Sequence, residues 1–543
     1  ASIDPSCTLP SSSRNEPPGS SGSASNGTVG SIRAKEIARR VNRFRIRHHS
    51  TTAIPTLRAP GSYADRTPQV PVQQMRRGIR ANTACDTRRV TIYLHSMARV
   101  VICGAGIAGI STAFHLTRLG ITDVVVADPR APLTLTSDKS TECYRNWWPN
   151  EPMIRLMRRS IELLDGYARE SGNAFGLNRR GYLYLTANDA TLQSMVTQAR
   201  AASRAGAGPL RTHTERTERY VAAGSEWFAN APEGADLFLD AGSLRRHFPF
   251  LSDRVVGGLH ARTAGWLSAQ QLGMWLLEQA TAAGASLIRA EVVAVEHSGD
   301  RIAAVGFNDG SRIETTTFVK AAGPHLRRVG ALVGLDLPVA SEVHAKTAIR
   351  DHLGRFPREA PMVIWNDPQQ LGWTSVEAQY LRDAGRRDLL DILPPGCHGR
   401  PEGGLESPWA LGLWEYRTKV REPTWPIPTD PLYAEVVLRG LARIIPALES
   451  YSEALPETVV DAGYYTKTKE NRPLAGQAGP EGSYVCGALS GFGIMAACAV
   501  GELVALGIAG ARLPRWSRWF ELRRYDDPKY VASLAEMPDS GQL

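Results

Sequence analysis

Cysteine is scarce in this chain and follows no pattern. The seven residues stand at 7, 85, 103, 143, 397, 486 and 498, and no two share a metal-ligand or redox spacing. That excludes a disulfide-stapled secreted scaffold and fits a reducing compartment. Cys103, Cys486 and Cys498 lie in apolar runs and read as small buried hydrophobes. His260, His325 and His344 are isolated, so they read as loop or sheet histidines, and no cluster supports a metal. Neither a catalytic triad nor an internal repeat is visible. Charge of one sign is missing from the body: residues 97–543 carry 48 Lys+Arg against 49 Asp+Glu, whereas residues 1–96 carry 15 against 5. The overall +9 therefore belongs to the leader and is no sign of a nucleic-acid-binding face on the body, so no nucleic-acid partner is expected. An uninterrupted membrane-length run is also lacking. The stretch "YVCGALSGFGIMAACAVGELVALGIAG" (484–510) is dense in glycine and broken by Ser490 and Glu502. It reads as a strand, a turn and a buried helix, with no integral membrane span.

What is there begins with a leader. Residues 1–30 are Ser, Gly, Pro and Asn with almost no large apolar groups, so burial cannot offset their chain entropy. Then comes "SIRAKEIARRVNRFRIRHHSTTAIP" (31–55), Arg-rich, acid-poor and loosely amphipathic, with the composition of a mitochondrial transit peptide set back from the first residue. Two readings stay open: a targeting leader, or an extension ahead of a start at Met97. The location is accordingly mitochondrial or cytoplasmic.

"RVVICGAGIAGISTAFHLTRLG" reads strand, glycine turn, helix. Val100, Val101 and Ile102 form the β-branched run of a strand buried on both faces. Gly104, Gly106 and Gly109 give G-x-G-x-x-G: one glycine for the tight turn, one for close approach of a pyrophosphate, one for helix–strand packing. The helix N-terminus then faces phosphates with unpaired N–H groups. A second strand, "DVVVAD", ends in Asp128, about twenty residues beyond the third glycine, where an acid binds ribose hydroxyls. No second nucleotide-binding half follows promptly. The chain returns instead at "TFVKAAGPHL" (317–326) and at "GSYVCGALSGFGIMAACAVGELVALGIAG" (482–510). A nucleotide domain assembled from distant segments around an insertion is the organisation of large FAD-binding folds.

These segments resemble the D-amino-acid-oxidase superfamily, in particular its sarcosine oxidase, dimethylglycine dehydrogenase and glycine oxidase branch. The similarity runs from about Arg99 to Gly510 and also takes in "DLFLDAGSLRRHFPFL" (236–251), "GGLHARTAGWLSAQQLGMWLLEQATAAGASL" (257–287) and "GYYTKTKENRPLAGQAG" (463–479), in the family's order. The resemblance implies an α/β fold: a Rossmann-like FAD-binding domain built from distant segments, with an inserted α+β substrate domain on an antiparallel sheet over the flavin. It also implies oxidation of a C–N bond in a secondary amine or amino acid to an imine by hydride transfer to the flavin. Oxygen or an electron-transfer acceptor would then take the electrons. As FAD ligands it implies Gly104, Gly106, Gly109 and Asp128, the backbone of Val292 at the adenine, Ala322 and Gly323 at the second crossing, and Gly487, Ser490, Gly491, Phe492 and Gly493 along the flavin ring. Ser140 and Thr141 fall in the segment that passes the pyrophosphate and ring. Two positions depart from the family. Gly463 stands where some sarcosine oxidases carry the cysteine that bonds to flavin, and Met495 stands where sarcosine oxidase has a carboxylate-binding lysine. Arg145, in "ECYRNWW", matches the other carboxylate-binding position.

Because a bound flavin would carry the difficult chemistry, no acid–base catalyst is demanded of the chain. Arg145 is the candidate for an anionic substrate group, since a planar fork suits a carboxylate. Trp147 and Trp148 wall a pocket or pack beneath the loop. Lys467 and Lys469, on or just after "AGYYTKT", are candidate cations near the flavin. Tyr416 and Arg417, in "GLWEYRTK", are expected on a substrate-domain strand with only one facing the flavin. The alternative function is a non-catalytic flavoprotein that serves binding or assembly. The expected organisation is a leader at 1–96, FAD segments at 97–150, 266–335 and 458–510, substrate segments at 151–265 and 336–457, and a tail at 511–543. Asp309-Gly310 marks a hairpin turn, and "RLPRWSRWFELRRYDDPKY", with Trp516, Trp519 and Phe520, is expected to dock on the body or on a partner.

Overall fold

The computed structural model describes residues 99–217, 219–224, 228–229 and 231–536. The basic leader, the transit-like segment and Met97 lie outside the described residues.

Val100–Cys103 is a strand because four apolar residues, three of them β-branched, are buried on both faces. Val100 and Ile102 point to one side, into a core shared with the helices Ile107–Arg118, Glu151–Glu170, Ala269–Ala282 and Gly493–Ile508. Val101 and Cys103 point to the other, against a three-stranded antiparallel sheet of Val292–Ser298, Arg301–Phe307 and Arg312–Glu314. Each fully buried Val or Ile contributes about 1.5–3 kcal/mol, so this short strand anchors the module. It lies inside a six-stranded sheet ordered Leu474–Gln477, Ser483–Gly487, Thr317–Lys320, Val100–Cys103, Val124–Ala127, Ser286–Ile288. Four neighbouring pairs are parallel, and only Leu474–Gln477 runs antiparallel. The hairpin between Arg301–Phe307 and Arg312–Glu314 turns at Gly310, φ 82°, where Asp309 accepts from the Ser311 amide. The helical stretch Ser490–Ile508 is long and apolar enough to cross a membrane, but most of it is buried, the helix Gly493–Ile508 packing against Ile107–Arg118 and Glu151–Glu170.

A nine-stranded sheet forms the second module. Its order is Thr458–Lys467, Ala340–Arg350, Trp409–Leu413, His398–Glu402, Met362–Trp365, Tyr182–Thr186, Gly257–Ala261, Ala235–Phe238, Leu210–His213. Thr458–Lys467, grouped by sequence with the last FAD segment, pairs here with Ala340–Arg350 along ten residue pairs. Period-2 alternation divides the sheet. Ile349, Val363, Leu183 and Ala410 face a core closed by the helix Tyr433–Ala442. The opposite face presents Tyr465, His344, Lys346, His398, Arg400, Ile364, Met362, Tyr182 and Tyr184, as the registers require. A two-stranded ribbon, Cys143–Arg145 with Ala264–Trp266, crosses that polar face and joins the modules. The tail docks on the body: Phe520 is buried, its carbonyl accepts from the Ala475 amide at 2.8 Å, and Arg524 pairs with buried Glu470.

Candidate active site

The glycine turn is sterically committed. A Cβ on Gly104, φ +117°, would lie 2.4 Å from the Ala321 carbonyl oxygen, and one on Gly109 would lie 2.0 Å from the Gly104 carbonyl oxygen. A Cβ on Gly106 would meet nothing closer than Ser137 Oγ at 3.5 Å, because that residue borders open space. Asp128 ties the turn to the second strand, its carboxylate accepting from the amides of Ala105 and Arg130, each at 2.9 Å.

Side-chain capping distinguishes the helices at this site. Glu151–Glu170, Ala269–Ala282 and Ser375–Asp383 are capped by Asn150, Ser268 and Thr374. The N-cap residues of Ile107–Arg118 and Gly493–Ile508 supply no side-chain cap and neither helix has an acid in its first turn, though the Ile107 amide donates to Ser137 Oγ at 3.1 Å. Both of these N-termini open on one cavity of about 730 Å³. Unpaired amides and the positive end of the helix dipole make such a terminus an anion site. Three remote pieces of chain form the cavity wall: residues 103–108, residues 321–325 and residues 486–491. Asp128 and Val292 line it too, as do Tyr464, Tyr465 and Thr466 of the large sheet. Ala488 and Ser490 hold positive φ, 55° and 49°, in the loop before the last helix, a backbone the surrounding packing must impose. A cavity of this volume that borders Gly106, carries an acid at the end of the second strand and meets two helix N-termini fits FAD. Gly104, Gly106, the Ile107–Arg118 terminus, Asp128 and Val292 would hold its nucleotide half, and the 487–493 loop its ring.

Of the residues singled out by sequence, Gly104, Gly106, Asp128, Ser140, Val292, Ala322, Gly323, Gly487, Ser490, Gly491 and Gly493 line this cavity. Gly109 packs behind the turn, and Thr141 turns its carbonyl to Arg400 at 2.8 Å. Phe492 is buried behind the loop with its ring edge-on to Trp148, 5.4 Å between centroids. Gly463 lies against Lys139, where an added Cβ would approach to 2.9 Å, and Met495 is buried in the helix core.

Arg145 is 4% exposed and does not line the cavity. Its guanidinium stacks on Trp148 at 4.3 Å, approaches the rings of Tyr182 and Tyr184, and donates to the Tyr184 hydroxyl. Lys467 is held by Glu342 at 2.9 Å, and Lys469 is exposed. Tyr416 and Arg417 are not on a strand. The strand ends at Leu413 because the Tyr433 hydroxyl accepts from the Trp414 amide and donates to the Ala345 carbonyl, occupying the place of a direct ladder bond. Tyr416 instead bonds Asp430 at 3.2 Å.

Sequence reasoning missed two cations. Lys346 donates to the carbonyls of Asp138 and Ser140, at 3.1 and 2.7 Å, and buried Arg400 donates to that of Thr141. Together they pin the 138–142 loop along the cavity. The pairing of buried His344 with half-buried Glu415 was missed too. Burial opposes a charge on the imidazole, but Glu415 at 2.7 Å and Glu342 at 3.2 Å raise its pKa to about 9. His344 also stacks on Tyr465, 4.0 Å between centroids.

Comparison with known proteins agrees with this geometry. The family model described as FAD dependent oxidoreductase (DAO) matches residues 99–506. Mitochondrial dimethylglycine dehydrogenases of Rattus norvegicus and Homo sapiens are each 25% identical over 271 residues, a match that takes in 49% of this chain and 28% of theirs. Among solved structures, L-proline dehydrogenase from P. horikoshii superposes with a TM-score of 0.61 at 21% identity, over 80% of this chain and 99% of that one. Glycine oxidase from Geobacillus kaustophilus gives 0.61 at 18%, over 79% and 98%. Iminodiacetate oxidase from Chelativorans sp. BNC1 gives 0.56 at 19%, over 78% and 98%.

Proposed function

The chain belongs to the FAD-dependent oxidoreductase (DAO) family, and from that premise we propose that it oxidises the C–N bond of a secondary amine or amino acid to an imine. The observation that carries the reading is the single cavity in which the glycine turn, the second crossing and the 487–493 loop meet the polar face of the large sheet. When bound, FAD supplies the acceptor for the hydride that leaves the substrate carbon.

The chain's own residues bind, orient and exclude water. Arg145, closed off from the cavity by Trp148, Tyr182 and Tyr184, would offer its fork to a substrate carboxylate only once those rings part around it. The Tyr184 hydroxyl fixes that fork, and Trp148 couples it to the 487–493 loop through Phe492. The amides at the start of Gly493–Ile508 put positive potential at the ring end of the cavity, where negative charge accumulates on reduction. Lys467, positioned by Glu342, is a further cation on the sheet side, whereas Tyr416, bonded to Asp430, does not line the cavity. Oxygen or an electron-transfer protein completes the cycle. A mitochondrial location is favoured by the Arg-rich segment 31–55 and by the printed location of the dimethylglycine dehydrogenases.

The test is anaerobic mixing of FAD-loaded protein with a panel of secondary amines and N-methyl amino acids, following the loss of flavin colour. At least one member should bleach it. Protein that holds FAD but is reduced by none would favour the binding or assembly reading instead.

A further inference from the structure

After Leu413 the chain leaves the large sheet and enters no further strand or helix until Tyr433. Residues 417–422, 424–426 and 428 of this arm are exposed, yet it is pinned at both ends. At one end Val420 bridges Glu342, and the Arg421 amide donates to the Ser341 carbonyl at 2.9 Å. At the other, the Asp430 carboxylate accepts from Arg386 at 2.9 and 2.6 Å and from the Leu432 amide at 3.0 Å.

Between these anchors the arm meets the cofactor cavity. Pro423 lines the cavity directly. Tyr464, another lining residue, tethers Thr424: its hydroxyl accepts from the Thr424 amide at 2.8 Å and donates to the Thr424 carbonyl at 2.9 Å. Trp425 follows, 38% exposed, and its ring partners are three side chains that line the cavity. Its centroid lies 4.9 Å from that of His325 and 5.4 Å from that of Tyr464, and the Arg130 guanidinium stands 5.5 Å from it. Burial, with Arg328 and Arg130 nearby, holds the His325 imidazole below its ordinary pKa, so it packs as a neutral ring. Arg130 comes two residues after Asp128, and His325 two after Gly323, so the tryptophan bears on the nucleotide half. Among the described residues, every hydrogen bond of residues 422–429 goes to the Tyr464 hydroxyl. An exposed segment with so few bonds opens locally far more readily than the fold unfolds.

We propose that the 422–429 arm is a clasp over the cofactor and Trp425 its catch, a ring that must leave its seat on Arg130, His325 and Tyr464 before FAD enters or leaves. The inference rests on FAD occupying the cavity and is independent of the substrate oxidised. A catch that is seated with or without FAD raises the barrier to passage in both directions. An ordinary contact with the cofactor would slow release alone.

The experiment measures cofactor exchange in three variants. Trp425→Ala removes the catch. Tyr464→Phe removes the tether and keeps the ring that lines the cavity. Trp425→Phe keeps an aromatic catch. Release is read as the recovery of FAD fluorescence when loaded protein is diluted, and uptake as its quenching when FAD meets protein freed of it. Trp425→Ala should speed release and uptake alike, each by about 3- to 30-fold, and leave the equilibrium affinity nearly unchanged. Tyr464→Phe should move both rates the same way by about 2- to 10-fold, and Trp425→Phe should stay near the parent. The melting midpoint without FAD should hardly move, since the side chain is partly solvated. Faster release with unchanged uptake makes Trp425 an ordinary contact and overturns the clasp. Trp425→Ala rates equal to those of the parent overturn it too, and Tyr464→Phe answers to the same outcomes should Trp425→Ala fail to fold. A parent that takes up no FAD overturns the cofactor reading of the cavity and the clasp with it.

Discussion

Gly106→Ala and Gly104→Ala separate cofactor binding from folding. At Gly106 the backbone sits at φ −78°, which alanine adopts freely, and the new methyl meets nothing nearer than 3.5 Å. The protein without FAD should keep its stability or gain about 0.4–1 kcal/mol from a stiffer unfolded chain. The methyl would occupy the space where a diphosphate approaches the helix N-terminus. Losing one charge-assisted hydrogen bond there costs about 1.5–3 kcal/mol, or roughly 10- to 100-fold in FAD affinity. At Gly104 the φ of +117° and the 2.4 Å approach to Ala321 oxygen strike the fold itself. Backbone strain of about 1–3 kcal/mol plus overpacking of about 1–3 kcal/mol should lower the melting midpoint by roughly 2–6 °C, even without cofactor. The assay is a melting curve and an FAD titration by fluorescence quenching for each variant. Gly106→Ala binding FAD as tightly as the parent would refute the assignment of the turn to the diphosphate.

The remaining predictions are briefer. His344 has a folded pKa raised from 6.5 to about 9, so its stabilisation is complete below pH 6.5 and is lost as pH rises through about 9. The term is at most about 3 kcal/mol. Buried Lys320, lowered to about 7 by desolvation, runs the opposite way in that window, so the test is the melting difference between parent and His344→Gln, which should shrink from pH 6 to pH 9.5. A difference that stays constant with pH would contradict it. Arg145→Met should raise the apparent Kd of a carboxylate-bearing substrate by about 10- to 100-fold. It should change the limiting reduction rate far less, as rapid mixing would resolve. Glu502→Ala removes the partner of Arg159, bonded at 2.5 and 2.7 Å across helices. The arginine is 40% exposed, so a loss of only about 1 kcal/mol is expected in denaturant unfolding.

The nucleotide half of the site was legible because its signals are local. A β-branched run, glycines at fixed offsets and an acid at the end of the next strand are properties of thirty neighbouring residues. The strand, turn and helix at 483–508 were legible for the same reason, since glycines and Ser490 interrupt the apolar run. The substrate half was not. Arg145 is caged by Tyr182 and Tyr184, nearly forty residues away, and no local pattern announces the cage. Lys346 and Arg400 each stand alone in an alternating strand, where a single cation has no signature until the sheet register brings both against the 138–142 loop. Tyr416 was expected on a strand because the apolar run through Trp414 looks continuous. The run ends where a side chain from Tyr433, nineteen residues later, takes over the backbone bonds.

The account stands most directly on one measurement: the amount of FAD released on denaturing purified, folded protein after incubation with the cofactor. One FAD per chain, reduced in Gly106→Ala at limiting FAD and kept in a surface variant such as Arg301→Ala, is the result predicted. A colourless protein that melts cooperatively and takes up no FAD would contradict it.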